Sequence, residues 1–255
     1  MNKRIFAFGE GVTEKTVWNK LHSKLPQSES KIGGAFHAVG GKSGFKKKML
    51  DILEPEFCPG GYVRVVVFRD VDKGEDIQQI LPSFKNLAQD LLSCSIELVN
   101  HPNYTNVFVA DIQPTDTSTG MRFVLHLAAT PSLLSSAIVD LGLRNQTTDT
   151  YILALALLDS VLERFAREAK TKKDILESKV VSEIPNLFQK NGIRFDEDKD
   201  LLAAYLVATR FWTVKRTDQK ERLVKIILDR AFKYDSQNAW KVFASWRAAI
   251  EEVVP

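Results

Sequence analysis

The chain has 255 residues, 35 Lys and Arg against 32 Asp and Glu, a formal charge of +3 and 44% apolar residues. That length fits one large domain or two modest ones, and the even charge excludes a polybasic or acidic tail as its main feature. No apolar run approaches the roughly 20 residues of a membrane helix, Met1–Ile5 leads directly into charged sequence, and Cys58 and Cys94 lack C-x-x-C spacing, which together predict a cytoplasmic protein with reduced thiols and no membrane attachment.

The first elements alternate. Lys3–Phe8 is a β-prone run ending at Gly9-Glu10-Gly11, and Thr13–Leu25 carries Val17, Leu21 and Leu25 at helical spacing before Pro26. Ala35–Val39 predicts a second strand ending at Gly40-Gly41; Phe45, Met49, Ile52 and Leu53 mark a helix closed by Pro55. Tyr62–Phe68, with Val63, Val65, Val66 and Val67, reads as a strand buried on both faces. Strands spaced by helix-sized segments predict βαβ units and a parallel sheet. Ile77–Cys94 predicts a helix interrupted or kinked at Pro82. Ser95–Val99, Val107–Ile112 and Phe123–Leu127 predict further strands, with Gln113–Gly120 as a loop or long hairpin connection.

From Pro131 the period turns helical. Thr148-Asp149 is an N-cap signal before Ile152, Leu155, Leu158, Leu162 and Phe165. Further amphipathic stretches cover Leu201–Trp212, Leu223–Phe232 and Trp240–Val253, broken at Asn191-Gly192 and Tyr234–Gln237. The expected architecture is α/β: a mostly parallel, Rossmann-like sheet with flanking helices over residues 1–130, then an all-helical region over 131–255 packed on it.

Ten of the 13 glycines lie between Gly9 and Gly74. Glycine collects where backbone turns sharply or approaches a ligand, and two of these places also carry acids. Gly9-Glu10-Gly11-Val12-Thr13-Glu14 follows the first strand, and Arg69-Asp70-Val71-Asp72-Lys73-Gly74 follows the strongest one. Ligand sites of open parallel sheets form at the carboxyl ends of strands. Asp70 and Asp72, two apart in extended backbone, can face one side. Hard oxygen donors converging from two strand ends suit Mg²⁺ or Mn²⁺.

Glu-Gly-x-Thr-Glu after the first strand and Asp-x-Asp after a later hydrophobic strand resemble the TOPRIM domain, which is shared by topoisomerases, bacterial primases, recombination-repair proteins and overcoming-lysogenisation-defect (OLD) nucleases. The Glu-Gly-x-Thr-Glu form resembles the OLD group and short stand-alone relatives, in which a segment like Val39-Gly40-Gly41-Lys42 also recurs. The resemblance spans roughly residues 3–112. It implies divalent-metal-dependent cleavage of nucleic acid, DNA ahead of RNA, with Glu10 as metal ligand or general acid/base, Asp70 and Asp72 as metal ligands, and Glu14 at a second metal. Lys42 and Lys73 are placed to neutralise phosphate. Arg122 follows Gly120-Met121, where some short relatives have an acid, so Asp111 becomes the substitute ligand. The ATPase domain of full-length OLD nucleases is not part of this sequence. The alternative is a non-catalytic metal- or nucleic-acid-binding module serving a partner such as an ATPase in trans, which the near-neutral charge and the departure at Arg122 favour; a homodimer is a further expected partner.

Each acid alone has a plainer reading: Glu14 as a first-turn acid favoured by the helix dipole, Asp70-x-Asp72 before Gly74 as a turn. Their order at two strand ends carries the functional reading. A phospho-receiver is the weaker third possibility, mimicked by Glu10 and Asp70. Gly40-Gly41-Lys42-Ser43 is not a Walker loop, because Phe36 stands where that pattern needs glycine. Lys46, Lys47 and Lys48 form the densest basic cluster, a solvated helix face or a backbone-phosphate contact. His37 and His126 are expected to pack in strands, and Trp212, Trp240 and Trp246 to fill helical stripes.

Overall fold

In the computed structural model, residues 5–25, 34–141, 146–195, 197–209 and 219–254 are described. In chain order the elements of the first half are β1 (Ile5–Gly9), α1 (Val12–His22), β2 (Gly34–Ala38), α2 (Phe45–Leu53), β3 (Tyr62–Arg69), α3 (Ile77–Leu92), β4 (Val99–His101), β5 (Tyr104–Ile112) and β6 (Gly120–Leu127). Helices follow: α4 (Ser136–Asp140), α5 (Thr148–Ala156), α6 (Asp159–Glu168), α7 (Lys173–Ser178), α8 (Ile184–Lys190), α9 (Asp198–Ala208), α10 (Gln219–Tyr234), α11 (Ser236–Val242) and α12 (Ala244–Glu251). The fold is α/β, and among the described residues no helix is long and apolar enough to cross a membrane.

One six-stranded sheet has the order β2-β1-β3-β6-β5-β4. β2, β1, β3 and β6 run parallel, and β5 and β4 continue the sheet antiparallel. The run of valines in β3 is explained by its central place: Val63 and Val65–Phe68 are buried, as a strand covered on both faces requires. On one face Phe6, Phe8, Val65, Val67, Phe123 and Leu125 pack beneath Phe45 and Met49 of α2 and Phe84 and Leu87 of α3. On the other, Trp18 of α1 lies against Phe36 and Phe68, with ring centroids at 6.4 and 5.9 Å.

That second face needs another cover, because the chain after β3 passes into α3 on the opposite side. α12 supplies it. Trp246 stacks on Phe68 with centroids 3.9 Å apart and planes 8° from parallel, and Ser245 Oγ lies 2.9 Å from His126 Nε2. The chain accordingly divides into two compact units, Met1–Ala128 with Ala244–Pro255, and Ala129–Phe243. The stretch from Trp240, read from sequence as one helix of the helical half, is two helices meeting at Phe243, and the second belongs to the sheet-bearing unit.

Within the helical unit α5 is central, buried along nearly its whole length and packed by α6, α9, α10 and α11. Thr147 caps it, its side chain accepting from the Thr150 N–H at 3.4 Å, one residue before the predicted capping pair. Thr147 and Thr150 both donate to the buried carboxylate of Asp198. Arg230 of α10 lies 3.9 Å from the Phe165 ring centre and donates to Glu168.

Three further readings change. The apolar series Ile152–Phe165 is two helices, broken at Leu157-Leu158. The predicted strand Ser95–Val99 has no strand pairing before Val99; the ladder begins there, at an edge strand of three residues. The Lys173–Lys190 helices carried no sequence reading, and α3 is not interrupted at Pro82, which lies inside it. Trp212 lies outside the described residues.

Candidate functional site

The connection from β1 leads to β2 on one side, whereas β3 and β6 extend the sheet on the other. The crevice between the ends of β1 and β3 is therefore the topological switch point. Pairing is level, Ile5 with Arg64 through Gly9 with Phe68, so the residues that leave the two strands emerge side by side. Glu10 Oε1 accepts the backbone N–H of Asp70 at 3.2 Å. Across the turn into α1, Glu14 is buried and accepts the Gly11 N–H at 2.8 Å. Gly9 permits this approach: a Cβ there would meet Phe36 Cζ at 2.6 Å and Glu14 Cβ at 2.8 Å.

The glycine pair after β2 closes over the same point. Gly40 and Gly41, at φ 77° and 108°, each donate a backbone N–H to the Glu10 carbonyl at 3.2 Å. Left-handed backbone at two consecutive positions favours glycine at both. The loop delivers Lys42, whose Nζ pairs with Asp72 and, at 2.8 Å, with Glu75.

Carboxylates outnumber cations at this crevice. Burial pushes the Glu10 carboxyl up to about 7, with Glu14 adding to the rise and Lys42, Arg69 and the Asp70 N–H opposing it. Glu75 goes the other way, to about 2, chiefly through its hydrogen bonds from Arg69. The Arg69 guanidinium grips both Glu75 oxygens at 2.7 and 3.1 Å, and the Asp72 N–H donates to Glu75 at 2.7 Å. Val71 is buried between Asp70 and Asp72, and Gly74 at φ 87° turns the chain back.

Of the residues singled out in sequence, Glu10, Glu14, Asp70, Asp72 and Lys42 thus meet at one crevice. Asp111 does not. It pairs with Arg122, Arg122 with Arg64 and Arg64 with Ile5, which puts it at the opposite ends of the parallel strands, about 20 Å away at ~3.3 Å per residue. There it accepts from Tyr62 and, at 2.7 Å, from Arg122, which also holds Glu252. Asp111 therefore lies apart from the crevice. Lys73 is exposed in the turn, Lys47 and Lys48 are exposed on α2, and Lys46 pairs with Asp90 at 2.8 Å. Sequence reasoning missed Glu75 and Arg69. The signal was present in Arg69, a cation directly after the apolar run Val65–Phe68 of the central strand, since such a residue seldom goes buried without a carboxylate.

The donors here are hard oxygens at a place short of positive charge, which fits a divalent cation in chemistry. Their present arrangement is a closed one, with Lys42 on Asp72 and Glu75, and among the described residues no three His, Cys, Asp or Glu side chains are gathered to hold a metal ion. No protein-family model, curated protein or solved structure matches the chain.

Proposed function

We propose that this protein cleaves phosphodiester bonds of nucleic acid, DNA ahead of RNA, in a divalent-metal-dependent reaction at the β1–β3 crevice. The observation that carries the reading is Glu10, held across the switch point by the Asp70 N–H, with Glu14 behind it and Asp72 beside it. A carboxyl that titrates near 7 both takes and gives a proton at neutral pH. Glu10 accordingly accepts the proton of the attacking water or returns one to the leaving oxygen. Asp70, Asp72 and Glu14 would hold Mg²⁺ or Mn²⁺, Asp72 after release from Lys42; the ion would polarise the phosphate and acidify water. Lys42, once released, neutralises a phosphate oxygen.

The Lys42 ion pairs, and the absence of a gathered metal group among the described residues, favour a second reading. In it the same unit binds nucleic acid without cleaving it and serves an ATPase partner. Plasmid nicking and single-strand cleavage with Mg²⁺ or Mn²⁺ separate the two. Glu10→Gln and Asp70→Asn should each reduce cleavage at least about 100-fold. Equal cleavage by wild type and both variants overturns the first reading, and tight nucleic-acid binding without turnover leaves the second.

A further inference from the structure

A separate cleft of about 350 Å³ opens beside the crevice, between the start of α2 and the outer face of α3. Its floor is apolar, with Phe45 and Phe84 in edge-to-face contact at 5.3 Å and Ile80 and Leu87 beside them. Its rim on α3 is polar, and uncharged up to Asp90. Gln79, Ser83 and Asn86 recur at i, i+4 and i+7, which sets them on one side of the helix, and Ser43 faces them from the start of α2. All four side chains are exposed and line the concave surface. One end of the cleft is closed by Lys42 and Arg69 with Glu75, and Lys46 stands beside Asp90 further along.

Those features define a ligand. A small-molecule site is typically a cleft of ~300–1,000 Å³ with an apolar body and a few polar groups that orient the ligand, and this cleft is at the small end of that range. Amide side chains above an apolar floor suit a planar heterocycle, whose edge they hydrogen-bond while its face is desolvated. At the other end Lys42 and Arg69 are held by Glu75, so a phosphate there takes Lys42 from its carboxylate partners, and Lys42 and Arg69 are the same side chains that border Glu10.

We infer that this cleft binds one nucleotide, the base between Asn86, Gln79 and the Phe45–Phe84 floor, the phosphate at the Lys42–Arg69 end. The unit is either a free nucleoside monophosphate or a single unpaired nucleotide of a strand. As a part of the proposed site it makes the substrate single-stranded next to the bond that is cut, and to that extent it rests on the cleavage reading. The binding itself does not require cleavage.

The test is calorimetric titration of Glu10→Gln protein in EDTA, so that neither a metal nor turnover contributes. AMP should bind, while adenosine and ribose 5-phosphate, each carrying half of the recognised groups, should bind about 10-fold more weakly or worse. Ser83→Trp, at an exposed position, fills the cleft and should weaken AMP at least about 10-fold with an unchanged melting temperature; Asn86→Ala should weaken it less. Hexadeoxyadenylate binding more tightly than AMP, and equally sensitive to Ser83→Trp, identifies the strand as the source; AMP binding more tightly identifies the free nucleotide. No AMP or hexanucleotide binding, or binding indifferent to Ser83→Trp, overturns the inference. Cleavage that persists in wild type while AMP binding is absent overturns this site alone. AMP binding without cleavage in wild type overturns the cleavage reading alone.

Discussion

Two carboxylates a few residues from one another in space are driven in opposite directions, and each change has a stability consequence. Glu75 is held at about 2, so its stabilisation is complete above about 4.5 and is lost as pH falls towards 2. Glu75→Gln leaves the buried Arg69 without its bidentate partner and should cost about 2 kcal/mol at pH 7. In urea titrations the gap between wild type and variant should close between pH 4.5 and 2. Glu10 has the opposite sign. Its carboxyl is raised to about 7, so folding favours the protonated form and stability falls as pH rises from about 4.5 through 7. Glu10→Gln should therefore melt higher than wild type at pH 8, by about 2–4 °C, and level with it at pH 4. A variant that melts lower at pH 8 would show that the ionised group is welcome there. At this scale the sequence disclosed the acids at strand ends, because glycine and acid together at such places are few. It did not disclose Glu75, whose role depends on the burial of Arg69 and on Lys42 arriving from a different loop.

At the scale of elements, α12 is the test case. Its Trp246 and Phe68 form the centre of one sheet face, and Trp246→Ala should destabilise the sheet-bearing unit by about 3–5 kcal/mol, measured by denaturant unfolding. Beneath it His126 is fully buried, with Ser245 and Asn106 at its Nε2, and burial depresses it to about 3. The sign is that of a base kept neutral: stability is present above about 6.5 and declines as pH falls towards 3. His126→Gln should flatten that acid slope. Strands and crossover helices were legible because their periods, 2 against 3.6, persist over several residues. Helix breaks at Leu157-Leu158 and Phe243 were not, since the apolar series continues across both. The allegiance of α12 was illegible for another reason: an apolar stripe announces that it needs a partner without naming one.

For the whole molecule, the division of the chain predicts what can be removed. Ser245 is hydrogen-bonded to His126, two residues before Ala128, so the residues flanking the helical unit lie close together in the sheet-bearing unit. A chain in which Ala129–Phe243 is replaced by about eight Gly and Ser residues should fold and keep cooperative melting, whereas residues 1–128 alone should aggregate through the uncovered Phe68 face. Similar solubility of the two would mean that α12 is dispensable. The first-half motifs and a change of period near residue 130 were readable in the sequence, but the discontinuity of the first unit leaves no local trace.

That discontinuity has a consequence for synthesis on the ribosome. β1 to β6 emerge first, yet the Trp246 side chain that covers Phe68 leaves the exit tunnel only after all of Ala129–Phe243 has been made, an interval of roughly 10 s at ~5–20 residues per second. Through that interval the nascent sheet presents Phe68, Val124 and His126 on a half-finished face. It is then that a chaperone has something to hold, and translation speed through the helical unit sets how long.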